Sequence, residues 1–243
     1  MHLKLYSSLK SLSHVIFPNR CHYCGEEAAG EASFCASCYE NLTFLSAYKC
    51  RYCGYEAEHL LGDICGVCLQ QPPPFKGFYG VVKYDEFSAS LITRLKFKDR
   101  LELVPTLAKL MIMELMEFDD GADVIMTAVP LHWRRRVKRR YNQSVELSRY
   151  IAKKKKLMYI PDLTQRIRAT KPQMGQSGYQ RQLNLKKAFR FNPKYQNIKR
   201  KQVILVDDVL TTGATSQAVA KILKKTGFEV YLLVFARVDG HLR

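Results

Sequence analysis

The residues from Val203 to Thr215 constrain the fold of this chain more than any other stretch. Four branched apolar residues, Val203 to Val206, are followed by Asp207 and Asp208 and then by a turn rich in Thr and Gly. A short, continuous apolar run bounded by turn residues is typical of a strand that is buried on both faces. Such strands belong to parallel sheets covered by helices, so the pattern predicts an α/β fold.

The turn after this strand has the chemistry of a phosphate site. The next segment is amphipathic, with an apolar face from Ala218 to Leu223 and a Gly227 suited to end a helix. We therefore expect the helix to open at Thr211 to Thr215. Free amide groups and the positive end of the helix dipole bind phosphate at such a position. The Thr hydroxyls add donors, and Gly213 lets the backbone come close.

Asp207 and Asp208 add a second chemical group beside this turn. Two carboxylates would repel a phosphate, so we expect them to face hydroxyl groups or a divalent cation. A pentose that carries a 5′-phosphate satisfies both halves of the pattern. The alternative is that Asp208 only caps a helix, as Asp residues after strands often do. The sequence contains nothing like a Walker A loop, which argues against nucleotide hydrolysis of that type.

All eight cysteines lie in four Cys-x-x-Cys pairs, separated by ten, eleven and eleven residues. The first residues lack the apolar core of a signal peptide, so zinc is favoured over a disulfide framework. The spacing predicts two structural four-cysteine zinc sites, one made of Cys21, Cys24, Cys35 and Cys38 and the other of Cys50, Cys53, Cys65 and Cys68. An interleaved pairing, the first pair with the third, stays open at this point.

The chain divides into three predicted segments. Residues 1–18 form a short amphipathic helical segment, residues 19–72 a double zinc ribbon, and residues 73–243 the sheet domain, after a stiff Pro-rich linker. The pattern predicts strands at Phe78 to Tyr84, Val124 to Ala128 and Val230 to Phe235, and helices at Ser88 to Phe97 and Val104 to Phe118. No apolar run reaches the roughly 20 residues of a membrane span, and we expect a cytoplasmic protein.

A basic run follows the strand at Val124 to Ala128. Six of the seven residues from 134 to 140 are cationic, namely Arg134, Arg135, Arg136, Lys138, Arg139 and Arg140. Because parallel sheets bind ligands beyond the carboxyl ends of their strands, we expect these residues to bind a pyrophosphate. The formal net charge of +17 also favours polyanions such as nucleic acid. The alternatives are a solvated face and a charge that only aids solubility.

The segment from Arg166 to Asn184 is polar, contains two glycines and has no long apolar period. This composition predicts a mobile lid that closes over a ligand and excludes water. The alternative is an ordinary exposed hairpin. Lys171 lies within it. Trp133, Tyr141 and Tyr179 stand among basic residues and could stack bases, or they could simply pack in the core.

The residues from Val203 to Thr215 resemble the phosphoribosyl pyrophosphate (PRPP) loop of type I phosphoribosyltransferases. Nearly the whole chain resembles the ComF family of competence proteins. The motifs that carry this resemblance are the zinc pairs, Pro130-Leu131 with Arg139-x-x-Asn142-Gln143, Gln173-x-Gly175-x-Ser177-x-x-x-Arg181-x-x-Asn184, and the PRPP loop. Arg140-Tyr141 stands where Gly-Phe is usual in the family, and Gln176 where Leu is common.

The resemblance implies a type I phosphoribosyltransferase-like parallel sheet flanked by helices and preceded by a small double zinc-ribbon domain. It implies PRPP or ribose 5-phosphate as the ligand, together with Mg²⁺. Asp207 and Asp208 would bind the ribose hydroxyls. The 5′-phosphate would contact Thr211, Thr212, Gly213, Ala214 and Thr215, and the pyrophosphate Arg135 and Arg136. The implied catalytic residues are Asp207, Asp208, Arg139 and Lys171.

Members of the ComF family are linked to natural transformation, in which single-stranded DNA enters the cytoplasm. The resemblance therefore implies a DNA-handling protein whose basic residues hold the strand, with other competence proteins or a DNA-uptake helicase as partners. The alternative is an active PRPP-dependent phosphoribosyltransferase that acts on a nucleobase or amine. A third reading is a transferase fold kept as a scaffold. Glutamine-dependent amidotransfer is disfavoured, because every cysteine is committed to metal spacing.

Overall fold

The structure is a computed structural model of the chain, and it describes residues 19–29, 34–57, 60–97, 100–119, 121–131, 141–168 and 188–242. The chain divides into two compact units, Met1–Thr43 and Phe44–Arg243. The predicted helical segment at residues 1–18 lies outside the described residues. The predicted domain boundary after residue 72 stays a prediction.

The first unit is built around a cysteine turn and a short helix. The amide of Gly25, at φ 83°, donates to the carbonyl of Cys21 (2.9 Å) and closes the turn between the first two cysteines. Helix α1 (Ala36–Glu40) begins directly after Cys35. The second unit repeats this arrangement, because Gly54 donates to Cys50 (2.7 Å) and α2 (Gly66–Gln70) begins after Cys65.

The second unit contains a five-stranded parallel sheet in the order β1-β7-β6-β2-β3. Its strands are β1 (Gly77–Lys83), β2 (Val124–Ala128), β3 (Met158–Tyr159), β6 (Gln202–Leu210) and β7 (Glu229–Arg237). Its longer helices are α3 (Glu86–Phe97), α4 (Leu103–Met113), α5 (Gln143–Lys154) and α6 (Ala214–Lys225). Strands β4 (Thr164–Arg166) and β5 (Phe189–Phe191) form a separate antiparallel pair.

Burial explains why the sheet needs helices on both faces. Every side chain of β2 is buried, and Val203 to Val206 of β6 are fully buried. The face that carries Val203 and Leu205 packs against Val219 and Leu223 of α6. Helices α4 and α5 pack against one another, and α5 also packs against β2, β3 and β6. The predicted α/β fold with a preceding zinc ribbon is confirmed. Among the described residues, no helix combines the length and apolar character that crossing a membrane requires.

Hydrogen bonds connect the second cysteine cluster to strands β1 and β7 of the sheet. The amide of Phe78 in β1 donates to the carbonyl of Arg51 (2.8 Å), and the guanidinium of Arg237 in β7 donates to the carbonyl of Cys53 (2.7 Å). Gly54 has a φ of 66°, and a side chain there would overlap the ring of Phe78. This cluster therefore supports the edge of the sheet at which β1 and β7 lie.

Candidate functional site

The eight cysteines form two groups in which the four sulfur atoms lie within 4.8 Å of one another. One group is Cys21, Cys24, Cys35 and Cys38, and the other is Cys50, Cys53, Cys65 and Cys68. The pairing is thus sequential, and the interleaved arrangement that the spacing left open is not adopted. The predicted metal ligands are brought together as expected.

The sulfur spacing fits zinc and does not fit disulfides. Cys24 and Cys35 have their sulfurs 3.6 Å apart, and Cys53 and Cys65 have theirs 3.8 Å apart. Four thiolates at about 2.3 Å from a tetrahedral zinc ion lie about 3.8 Å from one another, whereas a disulfide needs about 2.05 Å. With four cysteines each, both sites are closed, so any zinc they hold is structural and has no position for a substrate.

The carboxylate pair lies on β6 beyond the point where β2 ends. Val206 is the last residue of β6 that pairs with β2, and Asp207 pairs only with β7. The strand continues to Leu210, so the two acids lie within it and not at its carboxyl end as expected. They nevertheless lie at the edge where β2 gives way to its loop, which is where parallel sheets bind ligands.

Each carboxylate already has a partner. Asp207 Oδ1 accepts hydrogen bonds from Ser144 Oγ (3.1 Å) and from the Asp208 amide (3.0 Å). Asp208 Oδ2 forms an ion pair with Lys96 Nζ (2.8 Å), and the two side chains are only 10% and 21% exposed. Burial, and next the Asp208 carboxylate, raise the pKa of Asp207 to about 7.

Lys96 is a site residue that the sequence did not single out. It lies in the last turn of α3, more than a hundred positions before its partner. Lysines are common at helix carboxyl ends because their charge interacts favourably with the helix dipole. No local pattern therefore distinguishes Lys96 from the other lysines of the chain. Ser144, in the first turn of α5, is a second site residue that the sequence did not single out.

The turn between β6 and α6 has an open helix amino terminus. Gly213 is the N-cap at φ 72°, and no side chain caps the helix. Thr211 and Thr212 are exposed, and the first turn of α6 closes through Gln217 N to Gly213 O (2.8 Å). The first amides of such a helix lack intrahelical acceptors. The alternative role of Asp208 as a helix cap is wrong, because Gly213 takes that position and Asp208 pairs with Lys96.

Asn142 and Gln143 lie at the start of α5, close to the carboxylate pair. The Asn142 side chain accepts from the Ser144 amide (3.1 Å) and donates to the Val129 carbonyl (3.1 Å). It thereby links Val129, which precedes the basic run in the sequence, to the start of α5, which follows it. The buried Nε2 of Gln143 has no hydrogen-bond partner in the described part of the chain. An unpaired buried amide calls for an explanation, and a bound ligand would be one.

The basic residues predicted to bind pyrophosphate or DNA fall outside the described residues. These are Arg134, Arg135, Arg136, Lys138, Arg139, Arg140 and Lys171, together with Trp133, Tyr179 and most of the predicted lid. Of the three candidate stacking aromatics, the structure describes Tyr141. Its ring is partly buried and its hydroxyl donates to the Leu95 carbonyl, which favours packing over base stacking.

Comparisons with known proteins bear on both parts of the chain. A family model described as a double zinc ribbon domain matches residues 12–69. The chain is 30% identical to competence protein F of Haemophilus influenzae over 88% of its own length and 94% of that protein. It is 32% identical to the DNA utilization protein YhgH of Escherichia coli over 86% of its own length and 92% of that protein.

Solved structures similar to this chain include two adenine phosphoribosyltransferases. The protein from Thermoanaerobacter pseudethanolicus gives a TM-score of 0.34 at 12% identity, over 60% of this chain and 82% of that one. The protein from Saccharomyces cerevisiae gives 0.32 at 14% identity, over 59% and 71%. Scores of this size say nothing about substrate. The likeness in sequence, in contrast, extends over most of both chains, and this protein belongs to the ComF family, which includes competence protein F and DNA utilization protein YhgH.

Proposed function

We propose that this protein handles incoming single-stranded DNA during natural transformation and binds PRPP, or a ribose 5-phosphate, at the edge of its sheet. The observation that carries the sugar site is the position of Asp207 and Asp208, which only Val209 and Leu210 separate from an uncapped helix turn at Thr211 to Thr215. The two carboxylates would accept hydrogen bonds from the ribose hydroxyls, and the turn would bind the 5′-phosphate. The relatives named for competence and DNA use support the DNA-handling part.

The ion pair between Lys96 and Asp208 is compatible with this site. Lys96 neutralises one of two adjacent carboxylates in a largely buried position. Without a bound cation, the paired carboxylates of such a site would otherwise carry an uncompensated buried charge, which is costly. Two carboxylates and nearby hydroxyls are hard oxygen donors that suit Mg²⁺. Asp207 and Asp208 would hold Mg²⁺ together with PRPP, and the ion would supply charge neutralisation of the pyrophosphate. We expect Lys96 to give up its contact with Asp208 when the ligand binds.

DNA binding would depend on the basic run and on the overall charge. We place Arg134, Arg135, Arg136, Lys138, Arg139 and Arg140 against the phosphates of a single strand. Affinity should then fall with salt, with a log–log slope of roughly −0.7 for each phosphate contacted. We also place the protein in the cytoplasm, where the incoming strand would meet it, and expect other competence proteins or a DNA-uptake helicase as partners.

An active phosphoribosyltransferase that acts on a nucleobase or amine is the second candidate. In that reaction, a nitrogen atom of the acceptor would form a bond to C1′ of PRPP while the bond from C1′ to the pyrophosphate oxygen breaks. Arg135, Arg136, Arg139 and Lys171 would stabilise the charge on the leaving pyrophosphate. The buried amide nitrogen of Gln143 has no partner among the described residues, and Gln143 follows Arg139 by four positions in the sequence, which favours a ligand here.

Calorimetric titration with two ligands tests the proposal. Mg²⁺-PRPP and a single-stranded oligothymidylate are each titrated into wild type and into Asp207→Asn/Asp208→Asn. We expect the double variant to lose the heat of PRPP binding, since both oxygen donors lose their charge. It should keep oligonucleotide binding, which should weaken as salt is raised.

Asp119→Asn is the matched control, because Asp119 is an exposed acid beyond α4 and gives a charge change of the same kind. It should bind PRPP as wild type does. Equal PRPP heats for wild type and the double variant would refute the sugar site. Oligonucleotide binding that is absent, or indifferent to salt, would refute the DNA-handling part.

A further inference from the structure

The two cysteine clusters differ in how far they are open to solvent. In the first cluster Cys24 is exposed, whereas its three other cysteines are buried. In the second cluster all four cysteines are buried, and none is more than 3% exposed. Of the eight metal ligands, Cys24 is therefore the one that a reagent in solution reaches most readily.

Packing around each cluster accounts for this contrast. The second cluster is covered by apolar and aromatic side chains, among them Tyr52, Tyr55 and Leu242. Around Cys24, none of the residues 22–27 is buried. The turn that carries Cys24 thus faces solvent, and the side chains that shield the second cluster have no counterpart there.

Zinc binding gives Cys24 the chemical form that oxidants attack. A cysteine that binds zinc is deprotonated, and the thiolate, not the thiol, is the nucleophile. The susceptibility of a cysteine to oxidation follows its thiolate character and its exposure together. In the zinc-bound protein Cys24 meets both conditions, whereas the cysteines of the second cluster meet only the first.

A second sulfur atom lies within reach of Cys24. The Sγ atoms of Cys24 and Cys35 are 3.6 Å apart, and a disulfide brings two sulfurs to about 2.05 Å. The two atoms would therefore have to approach each other by about 1.5 Å. Cys35 is thus placed to form a disulfide with Cys24 once Cys24 has been oxidised.

We propose that Cys24 is an oxidation site at which a peroxide converts the first cluster from a zinc site into a disulfide. The Cys24 thiolate attacks one oxygen of hydrogen peroxide, the O–O bond breaks and hydroxide leaves, so that Cys24 becomes a sulfenic acid. The Cys35 thiolate then attacks the Cys24 sulfur, which forms the S–S bond and releases a second hydroxide. The two thiolates thereby lose two electrons to the peroxide. The zinc ion is left with Cys21 and Cys38 as its protein ligands, and it leaves the site.

The second cluster should keep its zinc ion under the same conditions, because its four cysteines are buried. Oxidation would then remove the ion that stabilises the unit Met1–Thr43, while the unit Phe44–Arg243, which contains the sheet, stays folded. The inference goes beyond the proposed function and does not depend on it, since neither PRPP nor DNA takes part in the reaction.

Zinc release from the full-length, zinc-loaded protein tests this reaction. Hydrogen peroxide is added in the presence of a chromogenic zinc indicator, and the disulfides and remaining thiols are then mapped by alkylation and peptide mass spectrometry. We expect wild type to lose the zinc ion of the first cluster before that of the second and to gain a disulfide between Cys24 and Cys35. A thiol reductant together with zinc should reverse both changes.

Two substitutions by histidine separate exposure from the mere loss of a thiolate. Cys24→His and Cys38→His each leave three cysteines and one imidazole, a ligand set that also binds zinc. Cys24→His has no thiolate at the exposed position, so its first cluster should keep zinc when peroxide is added. Cys38→His is the matched control, because Cys38 is only 5% exposed. It keeps Cys24 and Cys35 and should release zinc as wild type does.

The inference is overturned if the two zinc ions leave together, if the second cluster loses its ion first, or if Cys38→His resists peroxide as well as Cys24→His does. The map of wild type decides the question even where a variant binds no zinc, because a first disulfide that excludes Cys24 also overturns the inference. Asp207→Asn/Asp208→Asn should release zinc as wild type does, so this site and the PRPP site fail separately.

Discussion

Lys96 changes how the carboxylate pair should behave. Its ammonium group forms an ion pair with the Asp208 carboxylate at 2.8 Å. Its charge also lowers the pKa of Asp207, but burial and the Asp208 carboxylate raise that pKa by more. Asp207 itself accepts hydrogen bonds from two neutral donors, the Ser144 hydroxyl and the Asp208 amide. The two acids therefore differ in their partners, and burial together with the neighbouring carboxylate leaves Asp207 with a pKa raised to about 7. A cation that binds this pair would displace the Asp207 proton.

The raised pKa of Asp207 predicts a pH dependence of stability. The folded protein keeps the Asp207 proton up to about pH 7, whereas an ordinary aspartate loses it near 3.8. The folded state therefore binds more protons than the unfolded state in this interval, and its stability falls as pH rises through about 7. Asp207→Asn, which carries no charge at any pH, should raise the free energy of unfolding more at about pH 8 than at about pH 5.

Urea unfolding of wild type and Asp207→Asn at several pH values measures this difference. Asp119→Asn, which removes a carboxylate at an exposed position, is the control. Because Mg²⁺ binds a carboxylate and not its protonated form, wild type should also bind Mg²⁺-PRPP more tightly above pH 7 than below it. A stability gain of Asp207→Asn that is the same at both ends of the pH range would contradict the raised pKa.

At the scale of elements, the sequence located the strands better than their ends. Five branched or apolar residues at Val124 to Ala128 define β2 with the predicted bounds, because all of them are buried. β6 instead continues to Leu210, because pairing with β7 extends its ladder to Arg237. Helix α4 was expected to reach Phe118 but ends at Met113, since apolar periodicity continues through the turns that follow it. Pairing between distant strands leaves no mark on a local pattern.

The same reason separates the site residues that were predicted from those that were missed. The cysteine pairs and the Asp207-Asp208 turn are local patterns in which spacing alone indicates the chemistry. Lys96 and Ser144 come from α3 and α5 and reach the acids only through the fold.

The turn between β6 and α6 depends on the absence of a side chain at Gly213. Gly213 has a φ of 72°, and a Cβ there would lie 2.6 Å from Leu242 Cδ2. Gly213→Ala should therefore lose about 1 to 2 kcal/mol of stability from left-handed strain and also displace the turn. We expect Mg²⁺-PRPP to bind roughly tenfold more weakly, the loss of one charge-assisted hydrogen bond, as measured by calorimetry.

Gly121→Ala is a control for the strain alone. Gly121 has a φ of 79°, and a Cβ there would meet no atom within 4 Å. Urea unfolding should show a comparable loss of stability for this variant, and calorimetry should show unchanged PRPP binding. Should Gly121→Ala weaken PRPP binding as much as Gly213→Ala does, the effect would be one of general stability and not of the turn.

At the scale of the whole molecule, the two cysteine clusters are not equivalent. The first lies in the compact unit Met1–Thr43, and the second in the unit that contains the sheet. Arg237 of β7 is 3% exposed and donates to Cys53, and Leu242 packs both against the second cluster and beside Gly213. The carboxyl-terminal residues thus contact the second cluster and the proposed phosphate turn at once.

This arrangement predicts unequal effects of losing each zinc site. A structural zinc contributes on the order of 10 kcal/mol, so Cys53→Ser/Cys68→Ser should lower the melting temperature of the sheet unit by about 10 °C or more. It should also weaken Mg²⁺-PRPP binding, because Arg237 and Leu242 lose their support. Cys24→Ser/Cys38→Ser removes the same number of thiolates but should leave the sheet transition and PRPP binding close to wild type. Scanning calorimetry, with zinc content measured for each variant, tells the two apart. Equal losses from both double variants would show that the clusters support the sheet alike, and the link through Arg237 and Leu242 would then have no special role.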